Sequence, residues 1–205
     1  MAEPEARGIP AQTGAAYTAP AAVAPAATGI ANPAPLGLAA FALTTFLLSA
    51  SNAGLTDKSS TAWVGYALAY GGLAQLLAGM WEMRAGNTFG ATAFSSYGAF
   101  WIGLFVGRLE GKHDLGWILL AFAIFNLYML YCSMAVNMAV FGVFLTLQLT
   151  EIVLFIANFS DSSGLTKVGG WIGIITALVA WYASFAGVAA SSGTGRALPV
   201  GRAMR

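Results

Sequence analysis

The sequence contains very little charge, and this scarcity sets its class. Asp, Glu, Lys and Arg make up 8 % of the 205 residues, whereas 58 % are hydrophobic. Soluble domains carry roughly 25 % charged residues, so the composition indicates an integral membrane protein. The formal net charge of +1 indicates no surface for nucleic acid, and we expect no nucleic-acid partner.

Cysteine and histidine are almost absent. The single cysteine, Cys132, excludes a disulfide within the chain and a cysteine metal cluster. The single histidine, His113, lies in a charged stretch and is expected to be a solvated loop residue. Hydrolytic and redox enzymes usually gather titratable side chains in clusters. The sequence offers no such cluster, so we expect no enzyme activity, no metal site and no cofactor.

The first 31 residues lack a helical period and contain few large apolar side chains. They are rich in Ala, Pro and Gly, and Glu3 and Glu5 stand where a signal peptide carries positive charge. We therefore expect residues 1–31 to be a disordered cytoplasmic tail. Residues 32–190 form the predicted transmembrane domain, and residues 191–205 a second polar tail, which we expect to be mobile.

Six long apolar runs follow the first tail. Each has about the length of a membrane-crossing helix, and a β-barrel would need shorter alternating segments. They predict an all-α membrane protein with a polar loop over residues 158–167. The predicted spans are residues 36–51, 63–81, 88–106, 115–133, 138–157 and 168–189.

Six spans place both termini on one side of the membrane. If that side is the cytoplasm, the inner segments hold five Lys or Arg residues and the outer loops hold four. The arginines that follow the last span favour the same orientation, because cytoplasmic segments carry an excess of positive charge. We expect a multi-pass protein of the inner (plasma) membrane with cytoplasmic termini.

The stretch from Gly71 to Trp101 joins the second and third spans and carries many polar side chains. Hydroxyl and amide groups inside hydrocarbon are costly unless they face protein or water. They indicate a polar path, or else helix packing, since small polar residues also let helices pack together. Asn87 or Thr88 is also expected to cap the third span. The candidate path residues are Gln75, Asn87, Thr88, Thr92 and Ser95.

Small residues recur at helical spacing in two spans. Gly169, Gly173 and Ala177 fall four residues apart in the sixth, and Gly72 and Gly79 lie seven apart in the second. Such ridges let helix backbones approach closely. The partner helix can belong to the same chain or to another protomer.

Four motifs resemble those of the acetate uptake transporter family, the succinate–acetate permeases of bacteria and their fungal relatives. They are NPAPLGL at residues 32–38, YGGLAQLLAG and GNTFGATAFSSYGAFW in the second and third spans, and GGWIG at residues 169–173. The resemblance covers residues 32–189. It implies six-helix protomers that assemble into a hexamer, each protomer with its own path for small monocarboxylates. Acetate would be the chief substrate, with succinate in some members, and passage would follow an anion channel or a proton-coupled carrier.

The first motif also has a structural interpretation. Asn32 before Pro33 suits a helix start, because the proline ring presets φ and its missing N–H costs nothing there. We take Asn32, Pro33, Pro35 and Gly37 as the structural residues of this motif.

The resemblance implies where the path narrows. The family's constriction is a Phe, a Tyr and a Leu, which match Phe41, Tyr97 and Leu147 by position. Tyr97 and Leu147 would lie roughly 14 and 15 Å from the starts of their helices, near the middle of a hydrocarbon core about 30 Å thick. Ring edges are slightly positive and Tyr97 can donate a hydrogen bond, so such a collar would tolerate a carboxylate.

Glu151 is a carboxyl predicted deep inside a span. It follows Leu147 by four residues and therefore lies on the same helix face. Because an intramembrane carboxyl is a functional candidate, we expect it to line the path and take up a proton during transport. The alternative is a protonated or hydrogen-bonded packing residue near Thr150 or Gln148. A fixed negative charge would repel acetate, so we expect Glu151 to be neutral during passage.

Two other functions remain open. A pore for neutral solutes such as water, urea, ammonia or undissociated acetic acid would also suit a narrow collar without fixed positive charge. A scaffold or sensor would need no path, although sensors usually carry a soluble output domain. Carboxyl groups with pKa values of about 4 are mostly ionised at neutral pH. Flux measured against pH and membrane potential therefore separates anion transport from neutral passage.

Overall fold

The computed structural model describes residues 29–57, 60–107, 113–192 and 197–204, and within these ranges every regular element is a helix. The expectations for residues 1–28, 58–59, 108–112, 193–196 and 205 lie outside the described residues. The elements are α1 (Ala34–Ala53), α2 (Ala62–Leu68), a π-helical segment (Ala69–Ala74), α3 (Gln75–Arg84), α4 (Thr88–Val106), α5 (Asp114–Ser133), α6 (Met138–Phe159) and α7 (Ser163–Ser191).

Five of these helices are long and apolar enough to cross a membrane, namely α1, α4, α5, α6 and α7. The second predicted span is one continuous helical run over residues 62–84, in which the π-helical segment joins α2 to α3. This run exceeds the roughly 20 residues that a bilayer requires, although its separate pieces do not. The chain is an all-α membrane protein, as its composition predicted.

The predicted loop over residues 158–167 is wrong in extent. α6 continues to Phe159 and α7 already begins at Ser163, so most of that stretch is helical. Ser162 explains the early start of α7, because its Oγ accepts a hydrogen bond from the Leu165 N–H at 3.3 Å. A side-chain oxygen in this position satisfies a free N–H group of the first turn.

Two asparagines set the starts of α4 and α6 in the same way. Asn87 Oδ1 accepts from the Gly90 N–H at 3.1 Å, and Asn137 Oδ1 accepts from the Val140 N–H at 2.9 Å. The prediction that Asn87 or Thr88 caps its helix is confirmed for Asn87. The predicted starts of the third and fifth spans, at residues 88 and 138, are therefore confirmed.

The motif at the start of α1 fixes this helix against two others. Asn32 Oδ1 accepts a hydrogen bond from the first backbone N–H of α1 at 3.1 Å. The Pro35 carbonyl accepts one from the Ser184 hydroxyl of α7 at 2.7 Å. Gly37 lies so close to α4 that a Cβ would come within 2.7 Å of the Phe94 ring. The motif thus starts α1 and lets it approach α4 and α7.

The small-residue ridge of α7 packs within the same chain. Gly173 lies directly against the Ser49 side chain of α1, and Gly169 lies against Leu154 of α6. Ala177, one turn further on, is fully buried. The α7 ridge therefore joins α1 and α6 of one protomer.

Part of the C-terminal tail lies against the helix bundle. The Met204 N–H donates to the Met134 carbonyl at 2.8 Å, and the Ala139 N–H donates to the Val200 carbonyl at 3.0 Å. A further tail carbonyl accepts from the Tyr182 hydroxyl of α7 at 2.7 Å. Residues 197–204 therefore have a defined place beside the turn between α5 and α6, whereas we expected a mobile tail.

Candidate functional site

The three residues of the implied constriction meet in the structure. The rings of Phe41 and Tyr97 contact each other edge to face, with centroids 5.8 Å apart. Leu147 belongs to the same buried apolar cluster, and all three side chains are buried. Because they come from α1, α4 and α6, they join three helices that no short turn connects. We call these three residues the collar.

A cavity lies on one side of the collar. It offers ≈ 50 Å³ to the centres of water-sized molecules, whereas one water needs about 10–15 Å³ on that measure. The collar residues form one end of its lining, and it extends along α1 to Asn52, along α4 to Trp101 and along α6 to Leu154. Its size suits a few waters or one small solute.

The other side of the collar is closed by apolar side chains. On α1, α4 and α6 alike, the further lining residues come after the collar residue in the chain. These helices therefore run in the same direction, and the cavity lies toward their C-terminal ends. The residues that precede the collar, among them Leu38, Phe94 and Phe144, belong to the buried cluster. Phe89 extends this seal, with its ring centroid 5.3 Å from that of Phe144.

Three of the residues that line the cavity carry a buried polar atom without a hydrogen-bond partner in the protein. These atoms are Thr45 Oγ1, Trp101 Nε1 and Glu151 Oε2. An unpaired buried polar group costs about 1–3 kcal/mol, so such groups indicate a place for water or a solute. A hydroxyl and an indole N–H can donate to a carboxyl group, and a carboxyl oxygen can accept from an undissociated acid. Among the described lining residues there is no Lys, Arg or His.

Tyr97 connects the collar to Glu151. Its hydroxyl oxygen lies 3.2 Å from Glu151 Oε1 and 2.9 Å from Asn126 Oδ1. Glu151 therefore makes its hydrogen-bond contact with the collar tyrosine. The Thr150 hydroxyl instead lies 3.1 Å from the Thr176 hydroxyl. Thr150 and Gln148 are possible neighbours of Glu151 from the sequence, but the contact in the structure comes from Tyr97.

Asn126 is the site residue that sequence analysis missed. It lies on α5, is 0 % exposed and also contacts Gln148 at 2.9 Å. The available signal was an amide within an apolar span, the same signal that singled out Gln75. Its partners were not readable from the sequence, because Tyr97 and Gln148 lie 29 and 22 residues away on other helices.

The other predicted path residues are not among those that line the cavity. Gln75 is buried one turn before Gly79, and Gly79 lies directly against Ser95 of α4. Gln75 and Ser95 each keep a side-chain oxygen without a protein partner. They therefore belong to the contact between α3 and α4, and their place on a transport path stays a prediction. Asn87, Thr88 and Thr92 lie near the start of α4, and their place on a transport path likewise stays a prediction.

Glu82 is a second buried carboxyl, although it lies beyond the second predicted span, which ends at residue 81. α3 continues to Arg84, which carries Glu82 into the interface with α4, where it is 1 % exposed. Its Oε2 accepts a hydrogen bond from Asn87 Nδ2 at 2.8 Å. Asn87 thus caps α4 with one atom and holds α3 with the other.

Among the described residues, no group of three His, Cys, Asp or Glu side chains could hold a metal ion.

Comparisons with known proteins concern most of the chain. The GPR1/FUN34/yaaH family matches residues 15–201. Acetate permease A of Emericella nidulans is 42 % identical over 195 residues, which are 83 % of this chain and 65 % of that protein. Ammonia transport outward protein 2 of Saccharomyces cerevisiae is 43 % identical over 176 residues, 78 % of this chain and 62 % of that protein. The chain thus spans less than two thirds of the length of these fungal relatives.

A bacterial relative is covered almost completely. The succinate-acetate/proton symporter SatP of Escherichia coli is 34 % identical over 181 residues, 84 % of this chain and 96 % of that protein. A solved structure of the bacterial acetate channel SatP matches with a TM-score of 0.79 and 34 % identity, covering 84 % of this chain and 99 % of that one. The similarity in fold therefore extends through the transmembrane helices.

Proposed function

The chain belongs to the GPR1/FUN34/yaaH family, and from this premise we propose that it transports small monocarboxylates, chiefly acetate, across a membrane. Succinate is a further candidate substrate. The observation that carries the proposal is the cavity beside the collar, whose lining residues Thr45, Trp101 and Glu151 carry unpartnered polar atoms. The relatives named acetate permease and succinate-acetate/proton symporter support the substrate class. The proposed activity moves the acid and breaks no bond in it, so the protein is not an enzyme.

The cavity would hold the acid by hydrogen bonds. A bare carboxylate faces an idealised cost of order 20 kcal/mol on entering a medium of low dielectric constant. The Thr45 hydroxyl and the Trp101 indole N–H would replace part of its hydration. Because Phe41 and Tyr97 are in contact, passage requires the collar side chains to move apart, and this selects for small acids.

We further propose that a proton moves with the acid and that the Glu151 carboxyl group binds and releases this proton. Glu151 is the carboxyl in the described cavity lining, and no Lys, Arg or His there balances a negative charge. The name proton symporter for one SatP supports coupling, whereas the solved SatP is described as a channel. The residues of this chain favour coupling, because they place a proton-carrying group beside the collar.

We propose that the protomers form a homo-hexamer in the plasma membrane with both termini in the cytoplasm. Large apolar side chains remain on the outside of the bundle, among them Tyr131 at 76 % and Trp117 at 64 % exposure. Lipid tails or neighbouring protomers would cover such a surface. In this orientation the cavity lies on the outer side of the collar.

A second candidate is passage of neutral solutes such as ammonia, urea, water or undissociated acid. The name of the Saccharomyces cerevisiae relative favours ammonia, and the described lining has no Lys, Arg or His that would attract an anion. This candidate differs from the first in predicting no saturable carboxylate site.

Uptake into liposomes that contain the purified full chain tests the two candidates. We expect saturable uptake of labelled acetate above that of empty liposomes, with competition by propionate and none by methylammonium. Leu147→Trp should block uptake by filling the collar. Leu145→Trp is the matched control, because Leu145 lies on the same helix with 40 % exposure. Methylammonium flux without saturable acetate uptake would favour the second candidate.

A further inference from the structure

Two buried amides behind the collar have no direct part in holding a solute. Neither Asn126 nor Gln148 lines the cavity. Asn126 Nδ2 donates to the Phe144 carbonyl at 2.9 Å and to Gln148 Oε1 at 2.9 Å. Gln148 Nε2 in turn donates to the Ala123 carbonyl at 3.2 Å. The two side chains thus form a chain of hydrogen bonds between α5 and α6.

Backbone carbonyls fix the direction of this chain. A carbonyl oxygen can only accept, so Ala123 requires the NH₂ group of Gln148, and Phe144 requires the NH₂ group of Asn126. The oxygen of Gln148 then faces the second N–H of Asn126. Asn126 Oδ1 is therefore the atom turned toward Tyr97, at 2.9 Å from its hydroxyl oxygen.

Tyr97 has a single hydroxyl proton to share between two neighbours. Asn126 Oδ1 can only accept, so this buried oxygen is satisfied only when the Tyr97 proton points to Asn126. Glu151 Oε1, which lies 3.2 Å from the same hydroxyl oxygen, must then supply the proton of its own contact. A charged carboxylate in that position would face the lone pairs of Tyr97 without a proton between them.

We propose that Asn126, held by Gln148, is a positioning residue that makes the Tyr97 hydroxyl an acceptor toward Glu151 and so selects the protonated Glu151. The consequence of this arrangement for transport rests on the proposed function. With the proton on Oε1, the unpartnered Oε2 is a carbonyl-type acceptor on a residue that lines the cavity. Such an oxygen accepts from an undissociated carboxylic acid and repels a carboxylate. The site would therefore take its substrate together with a proton.

The other groups around Glu151 do not change this assignment. Tyr97 is the titratable side chain in contact with it, and α1 contributes hydroxyl and amide groups to the same cavity. On α5, Tyr128 packs its ring against Phe125 with centroids 5.1 Å apart. Asp114 in the first turn of α5 and Lys167 in the first turns of α7 are the charged residues of those helices, and neither lines the cavity.

Infrared spectroscopy of the purified full chain tests the proton on Glu151 directly. We expect the C=O band of a protonated carboxylic acid at neutral pH, assigned to Glu151 by its loss in Glu151→Gln. In Asn126→Leu the Tyr97 proton is free to turn toward Glu151 and stabilise its carboxylate. The pH at which the band disappears should then fall by about 1–2 units, the effect of one hydrogen bond to a charged group. Ser133→Ala, which removes a partly buried hydrogen bond to the Leu130 carbonyl elsewhere on α5, should leave the band unchanged.

Two results would overturn the inference. One is a wild-type spectrum without a Glu151 acid band at neutral pH, and the other is an Asn126→Leu band that titrates as in the wild type. If Asn126→Leu does not fold, Tyr97→Phe replaces it: loss of the acceptor should move the band toward the position of a free carboxylic acid, and an unmoved band contradicts us. If the band behaves as expected but the rate of uptake does not depend on pH, the hydrogen-bond assignment is supported. The proton-coupled part of the proposed function is then wrong.

Discussion

Thr44 and Thr45 are adjacent on α1, yet their hydroxyl groups have opposite surroundings. Thr44 Oγ1 lies 3.1 Å from the Ala40 carbonyl and 3.3 Å from the Tyr66 carbonyl, and these two acceptors share its single proton. Thr45 Oγ1 is buried without a protein partner, and Thr45 lines the cavity. Thr44 therefore joins α1 to α2, whereas we expect the Thr45 hydroxyl to bind a solute.

Replacing Thr45 by Val should weaken substrate binding without weakening the fold. Thr45→Val removes one donor from the cavity, so we expect the KM for acetate to rise about 2- to 10-fold, the effect of one hydrogen bond. The unfolding temperature in detergent should not fall, because no hydrogen bond within the protein is lost. Uptake kinetics and thermal unfolding measure the two effects.

Thr44→Val is the matched control and should show the reverse pattern. It leaves two carbonyl contacts unmade, so the unfolding temperature should fall while the KM stays the same. An equal rise in KM for both variants would contradict the assignment of Thr45 to the cavity.

Opening the collar should admit larger acids. Leu147→Ala shortens the buried side chain that α6 contributes to the collar, and we expect the uptake of succinate relative to acetate to rise several-fold. The same substitution should lower stability by about 2–5 kcal/mol, as other large-to-small changes in cores do. Ile174→Ala, a buried change on α7 outside the lining, should lower stability without a change in the ratio. A rise in both variants would mean that general loosening, rather than the collar, sets selectivity.

Glu151→Gln should flatten the pH dependence of acetate uptake while assembly is retained. The Gln amide can still donate to the Tyr97 oxygen, so the contact is preserved, but it cannot exchange a proton. Uptake measured from acidic to alkaline pH and size-exclusion chromatography check the two parts. Glu82→Gln is the control, because Glu82 is equally buried but lies outside the cavity lining. An unchanged profile in Glu151→Gln would leave this residue a purely structural role.

Gly37→Ala should disturb the packing of α1 against α4. The added Cβ would lie 2.7 Å from the Phe94 ring, and such overpacking costs about 1–3 kcal/mol. Gly103→Ala on α4 is the control, since a Cβ there meets nothing within 4 Å. The yield of folded protein and its unfolding temperature should fall for the first variant only. Equal stability of the two variants would show that α1 can shift without cost.

Local signals in the sequence predicted the helices well but not their contacts. The asparagine cap of α4 and the Asn-Pro start of α1 depend on neighbours in the chain, and the structure agrees with both. The start of α7 was predicted too late, because Ser162 was taken as part of a loop rather than as a cap.

The sequence allowed the collar residues to be predicted, but not the contacts of the buried polar residues around them. Phe41 and Tyr97 stand in or beside long motifs, so a resemblance could name them. The facing direction of Gln75 depends on how its helix is rotated against α4, and burial of Glu82 depends on where α3 ends. Asn126 acquires its role through residues on two other helices, which only the assembled bundle brings together.

The most direct measurement is labelled-acetate flux and electrical current recorded together, in liposomes of the purified chain, at two pH values with the potential clamped. We predict flux that follows the pH gradient and exceeds the current, because the acid crosses the collar together with a proton. A current that accounts for most of the flux would contradict this, since acetate would then cross as an anion and Glu151 would have no part in proton movement.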